Sequence, residues 1–421
     1  MKRGFYTIMA AQFFSSLADN ALFVAAVQLL KDDGSPEWHR AALVPTFAFF
    51  YVVLAPFVGA IADRFPKGNV MLVSNAIKVV GCLLMLFNFH PLLSYAVVGL
   101  GAAAYSPAKY GILTELLPSS QLVKANGWIE GLTIGSIILG VVLGGFLIGP
   151  SVAPYMLGLQ IPSIDASADG AIALLVFVYA IAAVFNYFIP RTDAPLRALP
   201  HSVWALVKEF NECNRALWAD KLGQISLATT TLFWGAGGNL RYIVLAWAAA
   251  SLGYSTQQAT SLVGVVAIGT AAGAIYASLR MRLDEAPKVI PLGVGMGLLV
   301  VGMIFVNNLW VAIPFLIALG AIGGFLVVPM NALLQHRGHE LMGAGRSIAV
   351  QNFNEQACIL GLGAFYTGMT SLGFSALMAI TAFGAVVASV MWLIGRWHQS
   401  NVIRFPKLIA ELLAKARDGG H

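Results

Sequence analysis

Long apolar runs, each closed by a short polar turn, fill most of the 421-residue chain. A crossing of the hydrocarbon core takes roughly 20 apolar residues. On that measure the runs predict twelve spans, at 5–30, 41–62, 69–89, 92–116, 122–149, 170–190, 223–251, 257–279, 288–307, 309–335, 344–369 and 372–396. A long polar segment, 191–222, separates the sixth span from the seventh. The pattern therefore predicts an all-α membrane protein with a six-helix bundle at 1–190, a linker at 191–222, a second bundle at 223–397 and a tail at 398–421. The first run follows Met1-Lys2-Arg3, is too long for the apolar stretch of a signal peptide and has no small-residue cleavage site behind it, so it reads as a span.

The linker has a pattern of its own. Val203, Trp204, Val207, Phe210, Leu217 and Trp218 recur at helical spacing, with Lys208, Arg215 and Lys221 off that stripe. The tail repeats it with Phe405, Leu408, Ile409, Leu412 and Leu413. Each reads either as an amphipathic helix on the membrane surface or as a helix packed under the bundle. The two halves also echo one another. Gly59-Ala60-Ile61 answers Gly273-Ala274-Ile275, Pro107 with Lys109 answers Pro329 with Asn331, and Phe14 to Asn20 answers Phe233 to Asn239. Six helices, a linker and six helices is the layout of the major facilitator superfamily, and parallel repeats place a substrate site near the midplane where they meet.

Composition supports the membrane reading, because 58% of residues are hydrophobic and 10% charged, against about 45–50% and about 25% in soluble domains. The net charge of +6 then reflects basic loops on one side of the membrane. With the N-terminus inside, twenty Lys and Arg fall on the inner side and two, Lys31 and Arg40, outside. This bias predicts cytoplasmic N- and C-termini and a cytoplasmic linker. Cys82, Cys213 and Cys358 are isolated, which argues against a disulfide framework or a zinc site. The sequence contains no GxxxxGK[ST] phosphate loop, as an ATP-driven pump would use, and no His-x4-Asp, as a membrane acyltransferase would use. Neither an enzyme nor a cofactor is expected.

Leaving aside those at the span ends, six charges fall inside spans: Asp19, Lys78, Lys109, Glu130, Arg241 and Glu355. Each costs about 2.5–3.5 kcal/mol if left facing lipid, so each is expected to face a polar cavity or a partner. Asp19, Arg241 and Glu355 lie near mid-bilayer and are candidates for substrate contact. The amides Asn20, Asn239, Gln351, Asn352 and Asn354 cluster with them and can orient a polar headgroup or serve as interhelical glue. Lys109 and Glu130, both about two turns from the same end of adjacent spans, are expected to form a structural or gating ion pair. Lys78, on a peripheral helix, is expected to snorkel or to make a bundle contact.

Several blocks resemble one family, the bacterial lysophospholipid transporters. They are Asp19-Asn20-Ala21-Leu22; Ala103 to Leu113, around Ser106-Pro107-Ala108-Lys109-Tyr110-Gly111; Leu122 to Gly127; Leu232 to Gly237 with Arg241; Val328 to Gln335; and Gly343-Ala344-Gly345 with Ile348 to Asn352. The resemblance spans about residues 8–395. Gly59, Asp63, Arg64 and Lys67 resemble the general superfamily signature after the second span, without its closing run of basic residues. The segment His336-Arg337-Gly338-His339, read as a loop, departs from the family pattern. The resemblance implies a facilitator that flips lysophospholipids from the outer to the inner leaflet of the bacterial inner membrane, where an acyltransferase–synthetase restores the second chain. Some family members are fused to that enzyme. Here the chain ends at His421, so the partner is expected to act in trans. From the residues alone, Arg241 suits a phosphate and Asp19 or Glu355 an ammonium, with an apolar slot for the acyl chain. A proton-coupled drug or sugar transporter of the same fold, with Asp19 or Glu355 as proton carrier, is the alternative.

Overall fold

A computed structural model describes residues 3–35, 37–158, 160, 164–199, 202–254 and 256–418. Lys2 and the side chains of Arg3 and Arg40, part of the charge count above, lie outside the described residues. The described residues are helical apart from short turns and the extended linker start. The helices are α1 (Arg3–Asp32), α2 (Glu37–Val53), α3 (Ala55–Arg64), α4 (Lys67–Leu86), α5 (Pro91–Leu116), α6 (Ser119–Ile148), α7 (Ala153–Gly158), α8 (Ser167–Tyr187), α9 (Val203–Ala219) and α10 (Gly223–Leu252). They continue with α11 (Thr256–Arg280), α12 (Ile290–Gly302), α13 (Leu309–Met342), α14 (Ala344–Ser371), α15 (Ala376–Arg404) and α16 (Pro406–Asp418). Among the described residues eight segments are long and apolar enough to cross a membrane, and the pair α2–α3 supplies a ninth. The other expected spans are α5, α10 and α14, of 26, 30 and 28 residues. They are long enough but more polar, and they carry Lys109, Arg241 and Glu355.

Three elements depart from the sequence reading. The second span is broken at Leu54, with a 62° bend. Pro56 follows two residues later; it lacks an N–H to continue the ladder and its ring crowds the preceding turn. The ninth span opens and closes in tight 3-10 turns, Leu283–Val289 and Met303–Phe305, around α12; Pro287 and Pro291 sit at its entry. The tenth span runs on through 336–339, which are helical, to Met342. There Gly343, at φ +95°, stops the helix. The extra turns are anchored from the linker. Arg337 donates to both carboxylate oxygens of Asp220, at 3.1 and 2.8 Å, and Asp220 also accepts from the Gly223 amide at the start of α10. Burial alone would raise the Asp220 carboxyl, but the hydrogen bonds and charge of Arg337 outweigh it and hold the group below its ordinary value.

The chain forms two compact units. The first comprises residues 1–116, 135–211 and 342–350; the second comprises 117–134, 212–341 and 351–421. In the first unit the core is rich in alanine: Ala18, Ala21, Ala25 and Ala26 of α1 meet Ala168, Ala171 and Tyr179 of α8. Small residues let membrane helices approach closely where apolar burial gives no advantage over lipid. The second unit uses the same device on α11 and α13. Gly269 and Gly273 face the backbone of Ile317 and Ala321, while Gly320 and Gly324 face the backbone of Val266 and Thr270. An added side chain there meets backbone, which cannot rotate away. Gly273→Val should therefore cost about 1–3 kcal/mol or more, read as a lower midpoint of thermal unfolding in detergent; an unchanged midpoint would show that the two helices can separate freely.

The linker and tail are helical as the stripe predicts. Leu217 of α9 and Ile409, Leu412 and Ala416 of α16 are buried, whereas Val203 and Trp204 at the start of α9 are largely exposed. The amphipathic α9 thus packs into protein at its end and leaves an apolar first turn outside.

Candidate functional site

In the first unit the polar centre is built on α1, α4 and α8. Lys78 of α4 reaches Asp19 of α1 at 2.7 Å, and Tyr179 of α8 donates to the other Asp19 oxygen at 2.6 Å. Lys78 also donates to Ser15 at 3.0 Å, and Ser15 donates to Asn75 at 2.8 Å. The Lys78 ammonium lies 5.0 Å from the ring centre of Tyr105 and 5.7 Å from that of Tyr179. The lysine is 1% exposed and the aspartate 19%. Lys78 is therefore no snorkelling side chain. It makes the bundle contact, as the buried counter-ion of Asp19. Asn20 is half-buried, with its amide on the Ser16 carbonyl.

The second unit holds a chain of acids and amides. Gln351 of α14 donates to Glu355 at 2.7 Å and to Asn331 of α13 at 3.0 Å. Asn331 in turn donates to Glu130 of α6 at 3.4 Å. The Thr230 hydroxyl is within hydrogen-bonding reach of Glu355. Both carboxylates are buried, and the Gln351 carbonyl oxygen is buried without a hydrogen-bond partner among the described residues. Such a site is rich in acceptors and attracts a cation or a proton. Asn352 is half-buried beside it on α14. Asn239 is used differently: its amide donates to the carbonyls of Gly235 and Ile359, at 2.8 and 2.9 Å, and so ties α10 to α14. Arg241, two residues on, is exposed and has no ion partner among the described residues. Lys109 belongs to the first unit, its ammonium 4.1 Å from the ring centre of Tyr110, and Glu130 to the second.

The signature residues after the second span form a third cluster, within the first unit. Asp63 accepts from the amides of Gly345 and Arg346 at 2.6 and 3.0 Å, and from the Arg346 guanidinium at 3.2 Å. A carboxylate at the amides that open α14 meets the positive end of that helix. Lys67 pairs with Asp63 at 3.1 Å and with Glu115 at 2.9 Å. Arg346 also pairs with Glu209 of α9 at 3.0 Å, and Arg197 donates to the Met342 carbonyl at 2.5 Å. A Cβ on Gly59 would fall 2.7 Å from that of Ala349, so glycine is what lets α3 and α14 touch. Arg64 is exposed.

A family model for the Major Facilitator Superfamily matches residues 8–361. A protein of Yersinia pestis (strain Pestoides F) named lysophospholipid transporter LplT is 41% identical over 374 residues, which cover 89% of this chain and 88% of that one. The chain belongs to the LplT family. The LplT of Yersinia pseudotuberculosis serotype O:3 (strain YPIII) gives the same identity and coverage. Among solved structures, the transporter FucP in its outward conformation superimposes with a TM-score of 0.70 at 14% identity, covering 94% of this chain and 98% of its own. A bacterial homologue of ferroportin in an outward-facing state gives 0.66 at 14%, covering 95% and 99%. These likenesses establish the fold, and the family membership makes this chain a multi-pass membrane transporter, not an enzyme.

In this LplT-family member the residues that sequence reasoning missed are mostly partners. Glu115 and Glu209 are not singled out by the sequence and Arg346 enters it only as one of the inner-side cations, yet all three join the Asp63 cluster. One signal was available for Arg346. A cation in the first turn of a helix opposes the helix dipole and calls for an acid nearby. Asn126 and Gln335, which exchange two 2.9 Å hydrogen bonds between α6 and α13, gave no such signal.

Proposed function

We propose that this chain carries lysophospholipids across the bacterial inner membrane, from the outer to the inner leaflet, by alternating access. The observation that carries the reading is the 41% identity, over 89% of the chain, to proteins named lysophospholipid transporter. The chemistry of each unit supports it. A lysophospholipid presents an anionic phosphate and, in its ethanolamine form, an ammonium. The exposed, unpaired guanidinium of Arg241 suits a phosphate, which it can hold with two parallel N–H donors. Glu355, with Gln351 and Asn352, offers acceptors for an ammonium. Asp19, with Asn20, is already engaged by Lys78 and Tyr179, so it meets a headgroup by exchanging one of those partners. Asn239 acts through the α10–α14 contact, and Lys109 and Glu130 act as gating charges. The charge bias supports a cytoplasmic position for both termini and the linker. There the product would meet an acyltransferase–synthetase working in trans.

The deciding experiment uses purified protein in vesicles carrying a labelled lysophospholipid. Movement of the label between leaflets should exceed that in protein-free vesicles. No excess would overturn the proposal, and uptake of a small solute that needs a proton gradient would favour the proton-coupled alternative.

A further inference from the structure

The second unit contains an open apolar cavity of about 450 Å³, lined by residues of α10, α14 and α15 and by Trp218 of α9. No lining residue is charged. Trp218 and Trp397 stack there, with ring centres 6.4 Å apart and planes 7° from parallel. Their polar edges turn into the protein. The Trp218 N–H donates to Asn354 at 3.3 Å, and the Trp397 N–H reaches the Gln224 side-chain oxygen at 3.3 Å in the amide orientation that satisfies Gln224. The cavity is therefore left with ring carbon and aliphatic walls. Thr231, on one wall, has a buried hydroxyl without a hydrogen-bond partner among the described residues. From Val390 to Trp397 the α15 wall runs about 10 Å along the helix.

Water gains little in such a space, because it needs several polar partners. An acyl chain fills it at a gain of about 0.8 kcal/mol per buried methylene. At the tryptophan end two cations lie close along the chain, neither of them on the cavity wall. Lys221 lies three residues beyond Trp218, with its ammonium 5.0 Å from the ring centre of Phe405. Arg396, beside Trp397, is exposed, with its guanidinium 5.9 Å from the ring centre of Trp392. An apolar slot with two cations near its tryptophan end matches a molecule with one chain and one phosphate, and the free Thr231 hydroxyl can donate to its ester carbonyl. We propose that this cavity is an acyl-chain site for a lysophospholipid, with the phosphate held at Lys221 and Arg396 on the side of the bilayer where α9 lies. The inference rests on the proposed function and adds a second place for the same ligand, away from the acid–amide chain.

Cys358 lines the cavity and provides a native reporter. In a Cys82→Ala, Cys213→Ser background, its maleimide labelling is followed in vesicles of phosphatidylethanolamine and phosphatidylglycerol. Palmitoyl lysophosphatidylethanolamine added at low mole fraction should slow labelling several-fold, while glycerophosphoethanolamine, which has no chain, should not. Because the vesicles are themselves diacyl lipid, protection measures preference for the single-chain form. Val390→Trp, on the wall that faces outward, supplies the second readout. It should cut flipping of the palmitoyl lipid by about tenfold or more and spare the octanoyl analogue, which loses fewer buried methylenes. If Cys358 proves unreactive with and without lipid, this chain-length comparison decides. Labelling that ignores the lysolipid, or equal losses for both chain lengths, overturns the acyl site. If the unsubstituted protein flips lysophospholipid while those readouts fail, the proposed function stands and the second site alone falls; if it does not flip, the function itself fails.

Discussion

Lys78→Met should abolish the accumulation of folded protein, and adding Asp19→Asn should restore a large part of it. Lys78 is 1% exposed and its ammonium is shared between Asp19 and Ser15. Removing it leaves a carboxylate facing Tyr179 and apolar helix with no counter-charge. Breaking a buried pair from one side costs about 3–5 kcal/mol, because the remaining charge stays desolvated. The double change removes both charges, and replacing a whole buried pair is often close to neutral. The introduced amide keeps an oxygen that accepts from Tyr179, so α1 stays joined to α8. Asp19→Asn alone should be the milder single change, since Lys78 keeps Ser15 and the faces of two tyrosine rings. Size-exclusion profiles and thermal unfolding in detergent measure all three. Losses in the double variant equal to the sum of the two single losses would mean that the charges do not act as a pair.

The fold was largely legible because the bilayer imposes a length. A crossing takes about 20 apolar residues, and among the described residues helices stand at all twelve stretches read as spans, nine of them apolar enough to cross by that rule. Where the reading slipped, the cause was local or tertiary. Pro56 divides the second span by removing one amide, which an apolar average does not register. The extension of α13 through Arg337 depends on Asp220, 117 residues away, and residues 336–339 look like a polar loop until that partner is in place. The linker stripe left two readings open, and α9 divides between them: Leu217 is buried in protein while Val203 and Trp204 are uncovered, because a helical stripe gives the direction of an apolar face but not what covers it.

The candidate site was legible residue by residue and illegible in its pairings. An intramembrane charge announces itself by its cost, so Asp19, Lys78, Glu130 and Glu355 could all be found. Which of them meet depends on helix rotation and neighbours, for which one sequence carries little signal. Asp19 was expected to face substrate and Lys78 to snorkel or make a bundle contact, without either being named as the other's partner, and they are 2.7 Å from each other. Glu355 and Gln351, one helical turn apart, were correctly grouped by spacing. Their link through Asn331 to Glu130 needed three helices in place.

Asp63→Ala should release the start of α14 from α3. The Asp63 side chain accepts from two backbone amides, from Arg346 and from Lys67, and all of these donors are positive or lie at the positive end of a helix. After its loss Arg346, 6% exposed, remains beside that positive end with Glu209 as its remaining acid. Lys67 keeps Glu115 at 2.9 Å, so the damage concentrates on the 342–350 segment. A cost of about 3 kcal/mol, the lower end for breaking a buried pair, lowers the docked population relative to the undocked by about a hundredfold. Ala349, 1% exposed and set against Gly59, reports the change. In a chain whose native cysteines are replaced, Ala349→Cys should resist maleimide, and adding Asp63→Ala should raise its labelling rate by about tenfold or more. Asp63→Asn keeps one acceptor oxygen and should fall between. Gly59→Val reaches the same end by a steric route, since a side chain there strikes Ala349 and the backbone of Gly345 and Arg346. If Ala349→Cys stays as protected in the Asp63→Ala chain as without it, the carboxylate is not what holds this segment, and the close approach at Gly59 alone must do so.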